Sequence, residues 1–324
     1  MQILCICFLL PFALSESGIN KKCITPHGAI GTCQEATSCP LFLKYHQFSN
    51  SSAVRKYFKQ SICGERYNMK LICCDHIDSN PFEECGAQKE EKSATSDDSA
   101  KHFPWMAAIQ YRNGNEKPVF KCQGFLINQN FILTAAHCLK NSGIHSVILG
   151  VSNLSNYAEQ ESHKKLKILN VSYHENYKVA DDIGLIRIES VKYGDKIRWI
   201  CLPSKNAPIP DWFTVRGWGM NDEKSVFTVT RQNFIPSISY SHCPHAWRRN
   251  IDESKIICAG GELNMDVCDG DSGGALMNKT ELGWTAFGIV AFGSRDCSRG
   301  DPGVYTKIQN YLDWLDRTMI EMLH

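Results

Sequence analysis

The sequence predicts an all-β protein with two antiparallel β-barrels, a C-terminal helix and a small cysteine-rich module ahead of the barrels. Short apolar or alternating runs separated by Gly, Pro and Asn indicate many strands; they include residues 125–134, 146–150, 183–188 and 286–292. Apolar residues recur at helical spacing from Lys307 onwards, and these are Ile308, Leu312, Leu315 and Met319. Six cysteines crowd into residues 23–74, a stretch too short to be stabilised by core burial alone.

The N-terminal residues have the features of a secretory signal peptide. An apolar run extends from Ile3 to Leu14 and is followed by Ser15 and Ser17, which predicts a signal peptide over residues 1–17. A membrane anchor is the alternative, but the run is shorter than the roughly 20 residues that span a bilayer. We therefore expect a soluble mature chain that is secreted and extracellular.

The charge balance gives no reason to expect strong attraction to polyanions. The chain has 35 Lys and Arg residues against 34 Asp and Glu residues, which gives a formal net charge of +1 at pH 7. We therefore expect no nucleic-acid partner and no membrane partner. Four Asn-x-Ser/Thr sequons are candidate glycosylation sites, and they are Asn50, Asn153, Asn170 and Asn278.

The cysteine count predicts disulfides. Of the 16 cysteines, Cys5 and Cys7 leave with the signal peptide, so fourteen remain, an even number that suits an oxidising compartment. Zinc binding is the rival interpretation of the six N-terminal cysteines, but their spacings are not those of a finger or a ribbon. Residues 75–101, which follow, are rich in Glu, Asp, Ser and Lys and predict an exposed, mobile connector.

Two motifs predict a serine nucleophile and its base. Gly-Asp-Ser-Gly-Gly at 270–274 places Ser272 among glycines, and Thr-Ala-Ala-His-Cys at 134–138 supplies His137. A serine hydroxyl is a poor nucleophile at neutral pH, so it needs a base that takes its proton. Asp182, at the start of an apolar run, is the candidate for the carboxylate that orients the imidazole.

The glycines around the serine suit a tight turn. Such a turn can aim the backbone N–H groups of Gly270 and Ser272 at one point, as an oxyanion hole. Each motif alone has a plainer explanation, a glycine turn in one case and a satisfied core histidine in the other. Their occurrence together, in the order His, Asp, Ser, favours catalysis.

The order of these residues resembles that of the chymotrypsin-like serine protease family. Three further stretches resemble family signatures, and they are Phe-Pro-Trp-Met-Ala-Ala-Ile at 103–109, Val-Arg-Gly-Trp-Gly at 215–219 and Pro-Gly-Val-Tyr at 302–305. The resemblance implies two six-stranded barrels in a peptidase domain over residues 102–324, which needs no cofactor. Val151 stands where calcium-binding relatives often have Glu, so we expect no tight metal site.

The N-terminal cysteines resemble the clip domain found ahead of arthropod proteases of this family, here over residues 18–74. The sequence alone allows 15 connectivities. The resemblance implies the pairs Cys23–Cys73, Cys33–Cys63 and Cys39–Cys74. In the remaining chain it implies the pairs Cys85–Cys201, Cys122–Cys138, Cys243–Cys258 and Cys268–Cys297. The bond from Cys85 is expected to tether the clip module to the peptidase domain even after a cut in the connector.

The resemblance also locates the primary substrate pocket. Asp266, six residues before Ser272, stands at its base, where a carboxylate favours a substrate Arg or Lys. A solvated loop position is the alternative for Asp266. Gly293 and Gly303 stand where the family keeps the pocket walls open, and Phe292 replaces a more usual Trp.

Two departures from the family bear on activity. Ala291 stands where a Ser hydroxyl usually supports the triad Asp, and the loss of that hydrogen bond predicts a modest loss of activity. The usual activation motif, Arg or Lys followed by Ile-Val-Gly-Gly, is missing. Between Cys85 and Pro104, the basic cut points are Lys89, Lys92 and Lys101.

The missing motif affects the expected zymogen switch. In the family, cleavage frees an Ile ammonium that pairs with the Asp before the nucleophile, here Asp271. A cut after Lys92 frees a Ser terminus, which lacks the apolar side chain that favours burial. We therefore expect a weak or absent switch, in which Asp271 can hold the Gly270 loop in an inactive form.

Two functions are consistent with these residues. The first is a secreted endopeptidase that cleaves proteins after Arg or Lys in an extracellular cascade of the innate-immunity or melanisation type, with an upstream activating protease and a serpin-type inhibitor as partners. The second is a non-catalytic or zymogen-locked homologue that acts as a binding or regulatory partner. The intact His137, Asp182, Ser272 and Asp266 favour the first function, and the missing activation motif favours the second.

Overall fold

The computed structural model describes most of the chain in segments. The described residues are 19–26, 30–45, 52–75, 85–87, 103–114, 117–140, 143–151, 153–154, 163–178, 180–194, 196–219, 231–243, 251–261, 271–281, 283–293 and 300–323. The chain divides into two compact units, Met1–Asn80 and Pro81–His324. Across the described segments, no helix has the length and apolar character needed to cross a membrane. The expected signal peptide and the sequon at Asn50 lie outside these segments.

The first unit is a small sheet joined by disulfides. Its strands are β1 (Lys22–Ile24), β2 (Ile30–Glu35), β3 (Ile62–Arg66) and β4 (Met69–Asp75), and they pair in the order β1-β2-β4-β3. Two helices lie between β2 and β3 in sequence, α1 (Pro40–Tyr45) and α2 (Ser52–Gln60). Three disulfides are present, Cys23–Cys73, Cys33–Cys63 and Cys39–Cys74. They stabilise a unit whose core is too small to do so alone.

Six strands form the first barrel of the second unit. They are β5 (Met106–Tyr111), β6 (Val119–Asn128), β7 (Phe131–Thr134), β8 (Ile144–Leu149), β9 (Lys164–Tyr173) and β10 (Gly184–Ile188). The barrel closes in the order β10-β7-β6-β5-β8-β9, and every pairing is antiparallel. A short helix, α3 (Ala136–Lys140), follows β7. Ile109, Leu126 and Leu133 are fully buried in this barrel, as the apolar runs in the sequence require.

The second barrel also has six antiparallel strands. They are β11 (Trp212–Gly217), β12 (Arg231–Ile238), β13 (Ile256–Ala259), β14 (Ala275–Thr280), β15 (Gly283–Phe292) and β16 (Gly303–Lys307). This barrel closes in the order β11-β12-β13-β16-β15-β14. Phe213, Phe287 and Tyr305 are the large aromatic side chains of its core. A 3-10 turn over Ile308–Tyr311 then leads into α4 (Leu312–Leu323).

The expected fold class is confirmed, and two elements differ in detail from the expectation. The apolar run 125–134 is divided between β6 and β7. Asn128 Oδ1 accepts a hydrogen bond from the Asn130 N–H at 2.9 Å, and this local bond supports the chain reversal between the two strands. The helical spacing that starts at Lys307 begins with a 3-10 turn, so the α-helix itself starts at Leu312.

An aromatic cluster joins the two barrels. Phe103 lies before β5, and its ring centroid is 5.5 Å from Trp105 and 5.2 Å from Trp284 of β15. The buried Arg216 of β11 places its guanidinium carbon 4.9 Å from the centroid of the Phe103 ring. The stretch before β5 is therefore buried through aromatic and cation–π contacts, although it is a turn and not a strand.

The segment around Cys85 is fixed to the second unit by a disulfide and by backbone hydrogen bonds. Cys85 is bonded to Cys201. The Gly86 N–H donates to the Trp199 carbonyl at 2.8 Å, and the Trp284 N–H donates to the Gly86 carbonyl at 3.0 Å. Gly86 has a φ of +67°, and a Cβ there would lie 2.4 Å from both the N and the O of Trp284. The backbone is so close that only glycine fits.

We expect Gly86→Ala to lower the thermal unfolding midpoint of the second unit by at least about 4 °C more than Gly114→Ala. Gly114 is a matched control because its φ is +56° and a Cβ there would meet no atom of the described residues within 4 Å. Both variants experience the cost of a positive φ, whereas only Gly86→Ala pushes a side chain into backbone atoms. Differential scanning calorimetry measures the two midpoints, and equal shifts would contradict the close approach at Gly86.

Candidate active site

Strand pairing brings the predicted base and its carboxylate together. β7 ends at Thr134 and leads into α3, which carries His137, while β10 begins at Gly184, shortly after Asp182. Gly184 lies opposite Thr134 in the antiparallel register of β10 and β7. Residues that follow one strand of an antiparallel pair lie beside residues that precede the other. The register therefore places Asp182 next to α3.

Asp182 holds His137 by two hydrogen bonds. His137 Nδ1 lies 2.7 Å from Asp182 Oδ2, and the His137 backbone N–H donates to Asp182 Oδ1 at 2.9 Å. The Asp182 side chain is 5% exposed and that of His137 is 30% exposed, so the carboxylate is desolvated while the ring can be reached. The contact assigns the proton to Nδ1. The other ring nitrogen, Nε2, is then able to accept a proton from a nucleophile.

Ser272 lies in a tight turn directly before β14. The Gly274 N–H donates to the Asp271 carbonyl at 2.9 Å, which closes the turn. Gly273 has a φ of +83°, and a Cβ there would lie 2.2 Å from the Gln123 carbonyl oxygen. The Gln123 N–H donates to the Ser272 carbonyl at 2.9 Å. The serine is thus fixed against β6 of the first barrel, as the glycines of its motif allow.

The Cys122–Cys138 disulfide lies where the two segments meet. Cys138 Sγ is 3.5 Å from His137 Nε2 and 3.8 Å from the Ser272 carbonyl oxygen. One sulfur therefore contacts both the predicted base and the segment of the predicted nucleophile. Within the described residues, Cys122, His137 and Cys138 form the one group with the spacing of metal ligands. Both sulfurs are committed to the disulfide and offer no thiolate to a metal.

A second carboxylate, Asp181, supports the backbone beside Asp182. Asp181 is buried and has a φ of +59°, a left-handed conformation that is costly without glycine. Lys255 Nζ lies 2.8 and 3.1 Å from its carboxylate oxygens, and the Tyr311 hydroxyl donates to it at 3.0 Å. Thr306 Oγ1 donates to the Asp182 carbonyl at 2.9 Å. These contacts fix the backbone turn at Asp181, and this turn positions Asp182 beside His137.

The Tyr311 hydroxyl is suited to this role because it keeps its proton. Burial raises the pKa of Tyr311 well above the usual range, and the neighbouring Asp181 carboxylate raises this pKa further. The hydroxyl therefore donates to Asp181 at every physiological pH.

The described residues contain part of the predicted substrate pocket. Phe292 ends β15 and lies opposite Val304 in the register with β16, which begins at Gly303. Gly293 directly follows β15 and is partly exposed. Asp266 and Gly270 lie outside the described residues, so the charge at the pocket base and one oxyanion donor stay predictions.

The described chain contains six disulfides with the partners that the resemblance implies. The three in the second unit are Cys85–Cys201, Cys122–Cys138 and Cys243–Cys258. The expected pair Cys268–Cys297 lies outside the described residues. The asparagines of three sequons lie within the described residues, and Asn153, Asn170 and Asn278 are all at least partly exposed, as attachment of a glycan requires.

Sequence reasoning did not single out the polar groups that support the site. Asp181 offered one signal, because it is an additional carboxylate directly before Asp182. Lys255, Thr306 and Gln123 are distant from the motifs in sequence and belong to residue types that occur throughout the chain. Their roles emerge only from the contacts that the folded barrels create.

Comparison with known proteins identifies the family. Residues 93–315 match the family described as Trypsin, a stretch that covers more than half of the chain and includes His137, Asp182 and Ser272. Residues 23–74 match the family described as the regulatory CLIP domain of proteinases. The chain is a clip-domain member of the trypsin family.

Relatives of this clip-domain protein match it along nearly their whole length. CLIP domain-containing serine protease B4 of Anopheles gambiae is 31% identical over 92% of this chain and 91% of its own. Phenoloxidase-activating factor 3 of Holotrichia diomphalia is 28% identical over 95% of this chain and 96% of its own. A crystal structure of the drosophila Grass clip serine protease of the Toll pathway is 26% identical. It covers 93% of this chain and 98% of that chain, with a TM-score of 0.60.

We expect Lys255→Met to lower both the thermal unfolding midpoint and the rate at which a fluorophosphonate probe labels Ser272. The substitution leaves the buried Asp181 carboxylate without its cation, and a buried charge without a partner is costly. Adding Asp181→Asn removes that charge and keeps a residue that tolerates the left-handed conformation. The double variant is therefore expected to recover most of the loss. Calorimetry and labelling kinetics on the single and double variants measure this coupling.

Lys205→Met is the matched control. It removes an ion pair with Asp313 of 3.2 Å whose side chains are 71% and 75% exposed, and exposed pairs contribute little to stability. If Lys255→Met behaved like Lys205→Met, the proposed stabilisation of the Asp181 turn by Lys255 would be refuted.

Ala291→Ser tests the effect of the alanine that stands where the family usually has a serine next to the predicted triad carboxylate, Asp182. Ala291 is buried in β15, and the resemblance implies that a hydroxyl at this position donates to Asp182. One added hydrogen bond to a charged group contributes about 1.5–3 kcal/mol, part of which is already present in the ground state. We therefore expect kcat to rise by less than about tenfold. Steady-state hydrolysis of an Arg-containing peptide measures it, and an unchanged kcat would count against this role.

Proposed function

We propose that this trypsin-family protein is a secreted serine endopeptidase that cleaves protein substrates after Arg or Lys. The observation that carries the proposal is the buried Asp182 carboxylate, 2.7 Å from His137 Nδ1. The turn of Ser272 contacts the same disulfide sulfur as the imidazole. A base with an oriented tautomer beside a serine is the arrangement that acyl transfer requires.

The proposed reaction has two acyl-transfer steps. His137 Nε2 takes the Ser272 proton as Oγ attacks the substrate carbonyl carbon, and Asp182 stabilises the imidazolium that forms. The imidazolium then gives its proton to the leaving amine, and the peptide bond breaks to leave an acyl-serine. Water attacks the acyl-serine with His137 as base again, which releases the carboxylate product and restores the hydroxyl. The N–H groups of Gly270 and Ser272 are proposed to hold the oxyanion in both steps.

The setting of the proposed reaction is an extracellular protein cascade. Relatives are named phenoloxidase-activating factor 3, phenoloxidase-activating enzyme 1 and proclotting enzyme. Six disulfides in the described chain suit an oxidising compartment. We accordingly propose an upstream activating protease and a serpin-type inhibitor as partners, and glycans at the exposed sequons.

A second candidate function is a binding or regulatory homologue without catalysis. Two observations favour it, the missing Ile-Val-Gly-Gly motif after the connector lysines and the alanine at position 291. A protein of this kind would retain the protease surface and bind a cascade partner while its serine stays unreactive.

We expect the purified protein to hydrolyse a peptide with Arg at the cleaved bond, and Ser272→Ala to abolish this hydrolysis. Asp266→Ser is expected to reduce kcat/KM for that peptide by at least on the order of 10², because the substrate cation then lacks its buried partner. Asp313→Ser is the control, since it removes an exposed carboxylate from α4, which carries none of the residues predicted to line the pocket. Hydrolysis that is unaffected by Asp266→Ser would refute the predicted specificity, and labelling by a fluorophosphonate would still report a reactive serine.

A further inference from the structure

Gln123 is a buried amide that links the first barrel to the nucleophile turn. It lies in β6 and is 2% exposed. Its Nε2 donates to the Asp271 carbonyl at 3.1 Å and lies 3.4 Å from Asp271 Oδ1 and from the Arg216 carbonyl. Its backbone N–H donates to the Ser272 carbonyl at 2.9 Å. Gln123 therefore bonds two successive backbone carbonyl groups, that of Asp271 and that of Ser272 itself.

Two glycines lie so close to this amide that neither position has room for a side chain. A Cβ at Gly217 would lie 1.8 Å from Asp271 Oδ1 and 2.5 Å from Gln123 Nε2. A Cβ at Gly274 would also lie 2.5 Å from Gln123 Nε2. Glycines from β11 and from the nucleophile turn thus admit the close approach of Gln123 and Asp271. The contact is built into both barrels.

The Asp271 carboxylate is held by donors that belong to the folded chain. The Gly219 N–H donates to Asp271 Oδ1 at 2.9 Å, and Gln123 Nε2 approaches the same oxygen. Hydrogen bonds from N–H groups to a carboxylate are strong and directional. The sequence lacks the apolar terminus that normally follows the activation cut, whereas these internal donors are present without any cut.

We propose that Gln123 is a positioning residue that fixes Asp271 and Ser272 within the uncut chain, so that Ser272 reacts without a newly formed amino terminus. This inference rests on the proposed function, because it assumes that Ser272 is a nucleophile. Beyond that function, the inference states how the reactivity of Ser272 is regulated. The connection between the barrels, and not proteolysis of the connector, completes the turn of the nucleophile.

The test uses the full-length secreted protein in two forms. In the first, Lys89, Lys92 and Lys101 are replaced by Gln, and intact-mass measurement verifies that the chain is uncut. In the second, the natural connector is cut by limited proteolysis. Each form reacts with a fluorophosphonate probe, with Ser272→Ala as the blank. We expect the uncut form to be labelled, and Gln123→Met in that form to lower the labelling rate on the order of 10²-fold.

Gln123→Glu adds a pH profile that a purely structural role would not produce. At low pH the introduced carboxyl is protonated and donates to Asp271 as the amide does. As the pH rises, it ionises beside the Asp271 carboxylate and repels it. The nearby guanidinium of Arg216 contacts the Phe103 ring and Gln232 Oε1, and it is the same in parent and variant. We therefore expect the ratio of variant to parent labelling rates to fall as the pH rises, because effects of pH that are common to both proteins cancel in the ratio.

Gln309→Met and Gln309→Glu are the matched controls. Gln309 is also buried, and its Nε2 donates to the carbonyls of Ser204 and Ala207 at 3.1 and 2.7 Å. In both glutamines the Oε1 atom is buried without a hydrogen-bond partner among the described residues. The Gln309 variants are expected to lose stability as the Gln123 variants do, yet to keep the labelling rate and its pH dependence.

The outcomes separate this inference from the proposed function. Labelling that appears only after the connector is cut overturns the role of Gln123 and leaves the serine protease function intact. Labelling in neither form overturns both. If the uncut form is labelled but the Gln123 and Gln309 variants behave alike, the positioning role is refuted and the proposed function stands.

Discussion

The buried Asp182 carboxylate is the constraint on which the rest of the peptidase unit depends. A desolvated charge is tolerated only where donors meet it, and here the donors are the ring and backbone N–H groups of His137. The first barrel supplies this pair through the register of β7 and β10. The second barrel supplies Thr306, which holds the Asp182 carbonyl, and Lys255, which meets the adjacent Asp181. The base is therefore in place only when both barrels have assembled.

The sequence was most informative where chemistry restricts the residue types. A serine among glycines and a histidine after small residues are short local patterns, so His137, Asp182 and Ser272 could be proposed before any fold was known. Strand boundaries were less accessible. The prediction treated residues 125–134 as one run, although its centre is polar, with Asn128, Gln129 and Asn130. The chain reverses there between β6 and β7, at the turn that Asn128 supports.

The supporting polar contacts could not be predicted for a different reason. Gln123 and Asp271 are separated by 148 positions, and Asp181 and Lys255 by 74. Such pairs depend on how two barrels pack, and neither hydrophobic pattern nor motif spacing encodes that packing. The disulfide partners also span long separations, but there the resemblance to the clip-domain family implied the pairing that the described residues display.

The Cys122–Cys138 bond has a consequence for the order in which the molecule is made. Its sulfur at position 138 lies against both the imidazole and the segment that carries the serine. In a reducing cytosol this bond does not persist, so β6 and α3 are then joined by packing alone. The chain acquires the full set of constraints on its reactive groups only after oxidation. For the proposed secreted endopeptidase, this requirement delays the finished site until the chain reaches an oxidising compartment.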